Sequence, residues 1–310
     1  MKYFTWLTKR WRFITCIAFI LVLVEYVRKS GFEIDFRAIN FSWLAVGCIL
    51  APCSVLIKSA KWLIIGRCML PSMTVKEAIC SYMAGIPAGL ITPGRVGEMA
   101  RLLYLADPAS KSARGLAAVY ADKFIDLQAI FIWLAIGLGT TGVWGLQWAG
   151  AFFLLFFCIP TRYWLTGSAL FFSHLPFGKK YIVPLGTAVK TMSGNSHLFF
   201  LSTLLLGSAS FAIEWLQYWA FFNALSGHHA IDLLIVIQSM VLVTAANIVQ
   251  LSVAGLGIRE MLAALLLAQS IPQAIAAFGS FMTFFVDVAI PGGVALFFRP
   301  EQEKKVSANG

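Results

Sequence analysis

Long apolar runs carry most of the chain. They cover roughly 13–27, 43–66, 115–139, 143–159, 198–225, 233–252 and 273–298. About 20 apolar residues in a helix cross a bilayer, so these runs predict membrane helices. A further apolar stretch, 163–172, is too short to span and is expected along the membrane interface. Two stretches break the pattern. The first, 86–101, holds Pro87, Pro93, Gly89, Gly94, Gly97, Arg95, Glu98 and Arg101 between apolar flanks. The second, 247–260, holds Asn247, Gly255, Gly257, Arg259 and Glu260.

A regular membrane helix does not carry that mixture. Each proline removes a backbone donor and pushes the residue before it out of helical geometry. Pro93-Gly94 is a turn signal. The pattern predicts a helix that enters the membrane, breaks near Pro93-Gly94 and restarts near Val96. In the second stretch, glycines again precede an arginine, a glutamate and an apolar run. Glu98-Met99 and Glu260-Met261 begin their helices alike. Broken backbone at membrane depth survives only where protein or a wet cavity satisfies it. Paired breaks in two parts of a membrane protein point to a binding site.

Composition agrees with the pattern. The 310 residues are 59% hydrophobic and 12% charged, with a mean hydropathy of +0.81. Soluble domains carry about 25% charged residues. The expected fold class is therefore all-α: a polytopic membrane bundle of about six to eight membrane elements, two of them broken or re-entrant. It is expected as one membrane domain over 1–310, with halves 1–172 and 198–310 joined by a basic internal loop. Lys2, Lys9, Arg10 and Arg12 precede the first apolar run, and Arg299, Lys304 and Lys305 follow the last. By the positive-inside rule both termini are expected in the cytoplasm. Lys58 and Lys61, near the inner end of the second run, are expected to snorkel to the interface. Six cysteines without a Cys-x-x-Cys pair read as small core residues. The four histidines lack chelating spacing, so neither a metal nor a cofactor is expected.

Three short motifs carry a resemblance. Pro-Gly-Arg-Val-Gly-Glu-Met-Ala-Arg at 93–101 resembles a signature of the membrane domain of lysylphosphatidylglycerol synthases. Ala-Asp-Lys-Phe-Ile-Asp-Leu at 121–127 is similar to that family's Glu/Asp-Arg-x-x-Asp motif, with Lys123 where arginine is usual. Gly-Leu-Gly-Ile-Arg-Glu at 255–260 resembles its Gly-Gly-x-Gly-x-Arg-Glu motif, with Ala254 where the first glycine is usual. The resemblance implies a prokaryotic inner-membrane protein that handles lipid head groups and moves them between leaflets. The soluble aminoacyl-transfer domain of the full synthases is absent from this sequence, so the resemblance does not imply that transfer.

The charged residues suggest how a head group would be held. A helix restarting after a break presents free N–H groups and its positive dipole end. Arginine binds phosphate in a bidentate fork. Arg95, Arg259 and Arg101 are the candidate phosphate contacts. Glu98, Glu260, Asp122, Asp126 and Asn247 are candidate supports, and Glu214 and Asp287 are candidate proton carriers. The alternative is that the arginines pair with Glu98, Glu260 or Asp122 and fix broken helices together. The expected ligand is an anionic phospholipid or a polyprenyl-phosphate lipid. No nucleic acid is expected, and a homo-oligomer or a partner enzyme stays open. With no recognisable catalytic set, a lipid transporter stands ahead of a non-transporting scaffold for a lipid-modifying enzyme. A membrane-embedded lipid transferase comes third.

Overall fold

The computed structural model describes Glu25, 39–140, 147–148, 150–152, 161–174, 179–227, 230–248, 255–295 and residue 297. The expected first helix, the span at 143–159, both basic tails, Gln250 and His228-His229 lie wholly or mostly outside those residues. The architecture is all-helical, with no strand among the described residues. The helices are α1 (Phe41–Met69), α2 (Val75–Ile91), α3 (Ala113–Gly139), α4 (Thr161–His174), α5 (Lys179–Ser193), α6 (His197–Leu225), α7 (Leu233–Ala246), α8 (Ile258–Leu266), α9 (Gln273–Phe284) and α10 (Ile290–Ala295). A 3-10 segment, Pro93–Tyr104, follows α2, and a π turn, Phe285–Ala289, joins α9 to α10. Among the described residues, three stretches are long and apolar enough to cross a membrane: Phe41–Met69, His197–Leu225 and Gln273–Ala295.

The first break lies at Thr92, one residue earlier than expected. Pro87 is carried inside α2, while Thr92 leaves the helix ahead of Pro93. The residue before a proline is pushed from the α region, and proline suits the first position of a new segment. Thr92 Oγ1 accepts the N–H of Gly97 at 2.6 Å, which satisfies one donor of the restarted chain. The restarted piece is a 3-10 helix and not the expected α-helix. The expected internal loop at 172–197 also contains a helix, α5, despite Pro184 inside it. The short α4 packs on α5, and α5 on α3.

Two compact units share the chain. One comprises Met1–Pro52, Gly89–Gly97 and Ile213–Ile290; the other comprises Cys53–Ala88, Glu98–Ala212 and Pro291–Gly310. In the first unit Trp219 sets its ring edge-on to Trp43 at 4.7 Å and donates to the Ile231 carbonyl at 2.7 Å. Asn223 Oδ1 accepts the Ile231 N–H at 3.0 Å, so α6 holds the approach to α7 by two bonds. In the second unit the core joins Trp62, Ile65 and Leu70 to Ala117, Ala118, Ala121, Ile125, Val189 and Met192. Against lipid, apolar contact brings little hydrophobic gain, so close approach and polar links decide association. The alanine face of α3 supplies the close approach. The polar links form the site.

Candidate functional site

The 3-10 segment, α1 and α3 meet in the second unit through six charged side chains. Arg101 lies three residues after Glu98, a spacing that puts both on one side of a helical segment. Arg101 NH2 is 2.8 Å from Glu98 Oε2, and its Nε donates to the Glu98 carbonyl at 3.2 Å. Its NH1 donates to Asp122 Oδ2 at 2.9 Å. Asp122 Oδ1 lies 2.9 Å from Lys61 Nζ. Lys61 also pairs with Asp126, one helical turn after Asp122. Asp126 Oδ2 lies 3.7 Å from Lys123 Nζ, and Lys123 pairs back to Glu98.

These contacts close a ring: Lys61, Asp122, Arg101, Glu98, Lys123, Asp126 and Lys61 again. Cations and carboxylates alternate, and the formal charge sums to zero. Desolvating an ion costs several kcal/mol, which a partner offsets only with good geometry and further hydrogen bonds. Here every charge has two opposite neighbours. The Lys61 and Arg101 side chains are each 1% exposed, whereas Asp126 is 24% and Lys123 33% exposed. The ring thus has a buried side and an open edge. The Arg101 guanidinium also lies 4.6 Å from the Trp62 ring centre and 5.9 Å from that of Tyr82. Trp62 is fixed by donating Nε1–H to Ser81 Oγ at 3.0 Å, so α2 positions the arginine indirectly.

Lys61 corrects the expectation of a snorkelling lysine: it points into protein and holds two aspartates. A lysine near a helix end has no sequence mark that separates those fates. The one available signal is the surplus of acid at Asp122 and Asp126, which needs a cation from elsewhere in the chain.

The first unit holds a second polar group, around Arg259. Gly255 and Gly257 adopt positive φ, 73° and 82°, where L side chains are disfavoured. A Cβ on Gly255 would also run into the Asn247 side chain, which lies at the C-terminal cap of α7. That turn starts α8 at Ile258. Glu260 reaches back to accept the Gly257 N–H at 2.6 Å, half of a capping box. Its other oxygen accepts from Arg259 NH2 at 2.7 Å. Arg259 also donates to the Ser280 carbonyl at 3.1 Å and lies 5.1 Å from the Phe284 ring centre. Its Nε and the Ser280 hydroxyl are buried without a hydrogen-bond partner among the described residues. Tyr218 and Asp287 are near enough to act on its charge, and Glu214 to act on Tyr218.

The structure therefore divides the candidate residues into two groups. Arg101, Glu98, Asp122 and Asp126 belong to the ring. Arg259, Glu260, Asn247, Asp287 and Glu214 belong to the first unit. Arg95 lies in the 3-10 segment, and its side chain is outside the described residues. Among the described residues no three His, Cys, Asp or Glu side chains are grouped to hold a metal.

A family model described as the Lysylphosphatidylglycerol synthase TM region matches residues 11–295. No curated protein and no solved structure gives a significant match.

Proposed function

Because this chain belongs to the lysylphosphatidylglycerol synthase TM-region family, we propose that it binds a phosphate-bearing membrane lipid and moves it between leaflets. Membership by itself points to a membrane-lipid-related function. The observation that carries the finer reading is Arg259. It is a buried guanidinium at a helix start, held by Glu260 and the Ser280 carbonyl, with its Nε lacking a hydrogen-bond partner among the described residues. An incoming phosphate offers the acceptors that a guanidinium fork fits. The N-terminus of α8 adds a positive end close by.

On this reading Arg259 contacts the lipid phosphate, with Arg95 as its counterpart in the first interrupted segment. Glu260 orients Arg259, and Asn247 braces the glycine turn. Glu214 and Asp287 are the groups that would exchange a proton during transport. Arg101 is assigned to the ring, because two carboxylates already hold its fork. The chain acts as a transporter and not as an enzyme, in a prokaryotic inner membrane, with both termini cytoplasmic and an anionic or polyprenyl-phosphate lipid as ligand.

A specific observation favours a second reading. The ring satisfies its own charges and ties the 3-10 segment to α1 and α3, which is what a rigid, non-transporting scaffold needs. Native mass spectrometry of the full chain released from mixed-lipid nanodiscs tests the ligand assignment. The transporter reading expects phosphate lipids to be retained above their bulk fraction, and Arg259→Gln to lose that enrichment. Retention at the bulk fraction in both proteins contradicts it.

A further inference from the structure

The ring is uneven, and the unevenness falls at Lys123. Lys61 and Arg101 are the buried cations. Lys123 is one-third exposed, and its link to Asp126, 3.7 Å, is beyond hydrogen-bond distance. An ammonium has three N–H donors. Glu98 occupies one, so two have no acceptor among the described residues. Releasing Lys123 does not strand a carboxylate, because Asp126 keeps Lys61 and Glu98 keeps Arg101. Lys123 can therefore turn to an outside anion while the buried side of the ring stays paired.

The surroundings favour a lipid as the source of that anion. Tyr120 and Phe124 flank Lys123 in sequence on α3. Phe124 lies 6.2 Å from the Tyr120 ring and 6.4 Å from the Trp164 ring, centre to centre. Tyrosine and tryptophan are enriched at head-group level in membrane proteins, and Tyr120, three residues before Lys123, and Trp164 mark this stretch of α3 as belonging to that level. We propose that Lys123 is an anion-receiving position at the open edge of the ring, and that it takes the phosphate of an anionic membrane lipid, one whose head group carries no cation of its own, in place of its long contact with Asp126. This rests on the lipid reading above, but on residues of the other unit. Lysine meets phosphate as a point charge, so arginine at this position keeps the function.

The test is amine acylation at Lys123, followed by mass spectrometry of the full chain in nanodiscs. One arm uses phosphatidylcholine alone, one adds phosphatidylglycerol, and one adds soluble glycerol phosphate to phosphatidylcholine discs. The proposal expects phosphatidylglycerol to slow acylation of Lys123 several-fold and glycerol phosphate to leave it unchanged. It also expects Lys123→Gln, but not Lys123→Arg, to lower phosphatidylglycerol retention, with the melting temperature of each variant showing that it is folded. Equal acylation in all arms, with phosphatidylglycerol still retained by the unaltered chain, overturns the Lys123 position and leaves the lipid reading standing. No retention by the unaltered chain overturns both. Protection by glycerol phosphate equal to that by the lipid overturns the assignment to a lipid.

Discussion

Arg101 and Asp122 form a buried ion pair, NH1 to Oδ2 at 2.9 Å, that joins the restarted 3-10 segment to the first half of α3. Each has a second opposite partner: Glu98 for the arginine and Lys61 for the aspartate. The pair is thus one side of a closed, neutral ring, and the ring sets where the broken backbone sits.

Removing charge from the buried side is expected to be expensive. Asp122→Asn leaves three cations with two carboxylates, and breaking a buried pair typically costs about 3–5 kcal/mol. Asp126→Asn, at the open edge, should cost less. Thermal melts of both variants in the same detergent give the comparison, and an equal loss would contradict a buried and an open side.

Balance should matter more than the number of pairs. Lys61→Met leaves two cations with three carboxylates. Adding Asp126→Asn restores neutrality around Arg101, Asp122, Glu98 and Lys123. The double variant is expected to melt above Lys61→Met alone, with a coupling of about 0.5–3 kcal/mol, the range for residues in contact. Strict additivity would show that the two do not act through the ring.

The glycine turn before α8 yields a third outcome. Alanine at positive φ costs about 1–2 kcal/mol. Gly255→Ala meets that cost and adds a collision with the Asn247 side chain. Gly255→Ala should therefore lower the melting temperature. Gly255→Ala/Asn247→Ala should recover part of that loss, and no recovery would show that the collision does not contribute.

A pH effect is expected outside the membrane helices, at Asp107. A hydrogen bond from the Ser72 hydroxyl, then one from the Ala109 N–H, holds its carboxyl below the usual aspartate range. A depressed folded value means the contribution is present above the unfolded value of about 3.9 and is lost as pH falls through the lower folded value. The Pro108–Lys111 turn should therefore loosen in acid. Backbone exchange at Ala109 and Ser110 reads this, and Asp107→Asn should remove the pH dependence.

The helical class and two interruptions were legible in the pattern of apolar runs, because proline and glycine act on the local backbone. Pro93 set the first break, yet Pro87 did not end α2. A proline signals a lost donor, and neighbouring structure decides whether the helix continues. The helix α5 was hidden for a similar reason, since Pro184 and flanking lysines read as a loop. Asp122 and Asp126, four apart, could be placed on one face from spacing alone. Their cations could not: Lys61 lies 61 residues before Asp122, and that distance is bridged by tertiary contact. Lys123 registered in the sequence as a departure from the arginine of a related motif, and its place at the open edge needed coordinates.

Movement of a phosphate-bearing lipid between leaflets is read by leaflet exchange in liposomes. The purified chain would be reconstituted with head-group-labelled phosphatidylglycerol or a labelled polyprenyl phosphate, with and without a proton gradient. Quenching of the outer leaflet then reports exchange. Exchange is expected well above that of empty liposomes, lost in Arg259→Gln and partly restored in Arg259→Lys, with all three proteins folded. Exchange no faster than in empty liposomes for every lipid and gradient would contradict it and leave the rigid scaffold as the better reading.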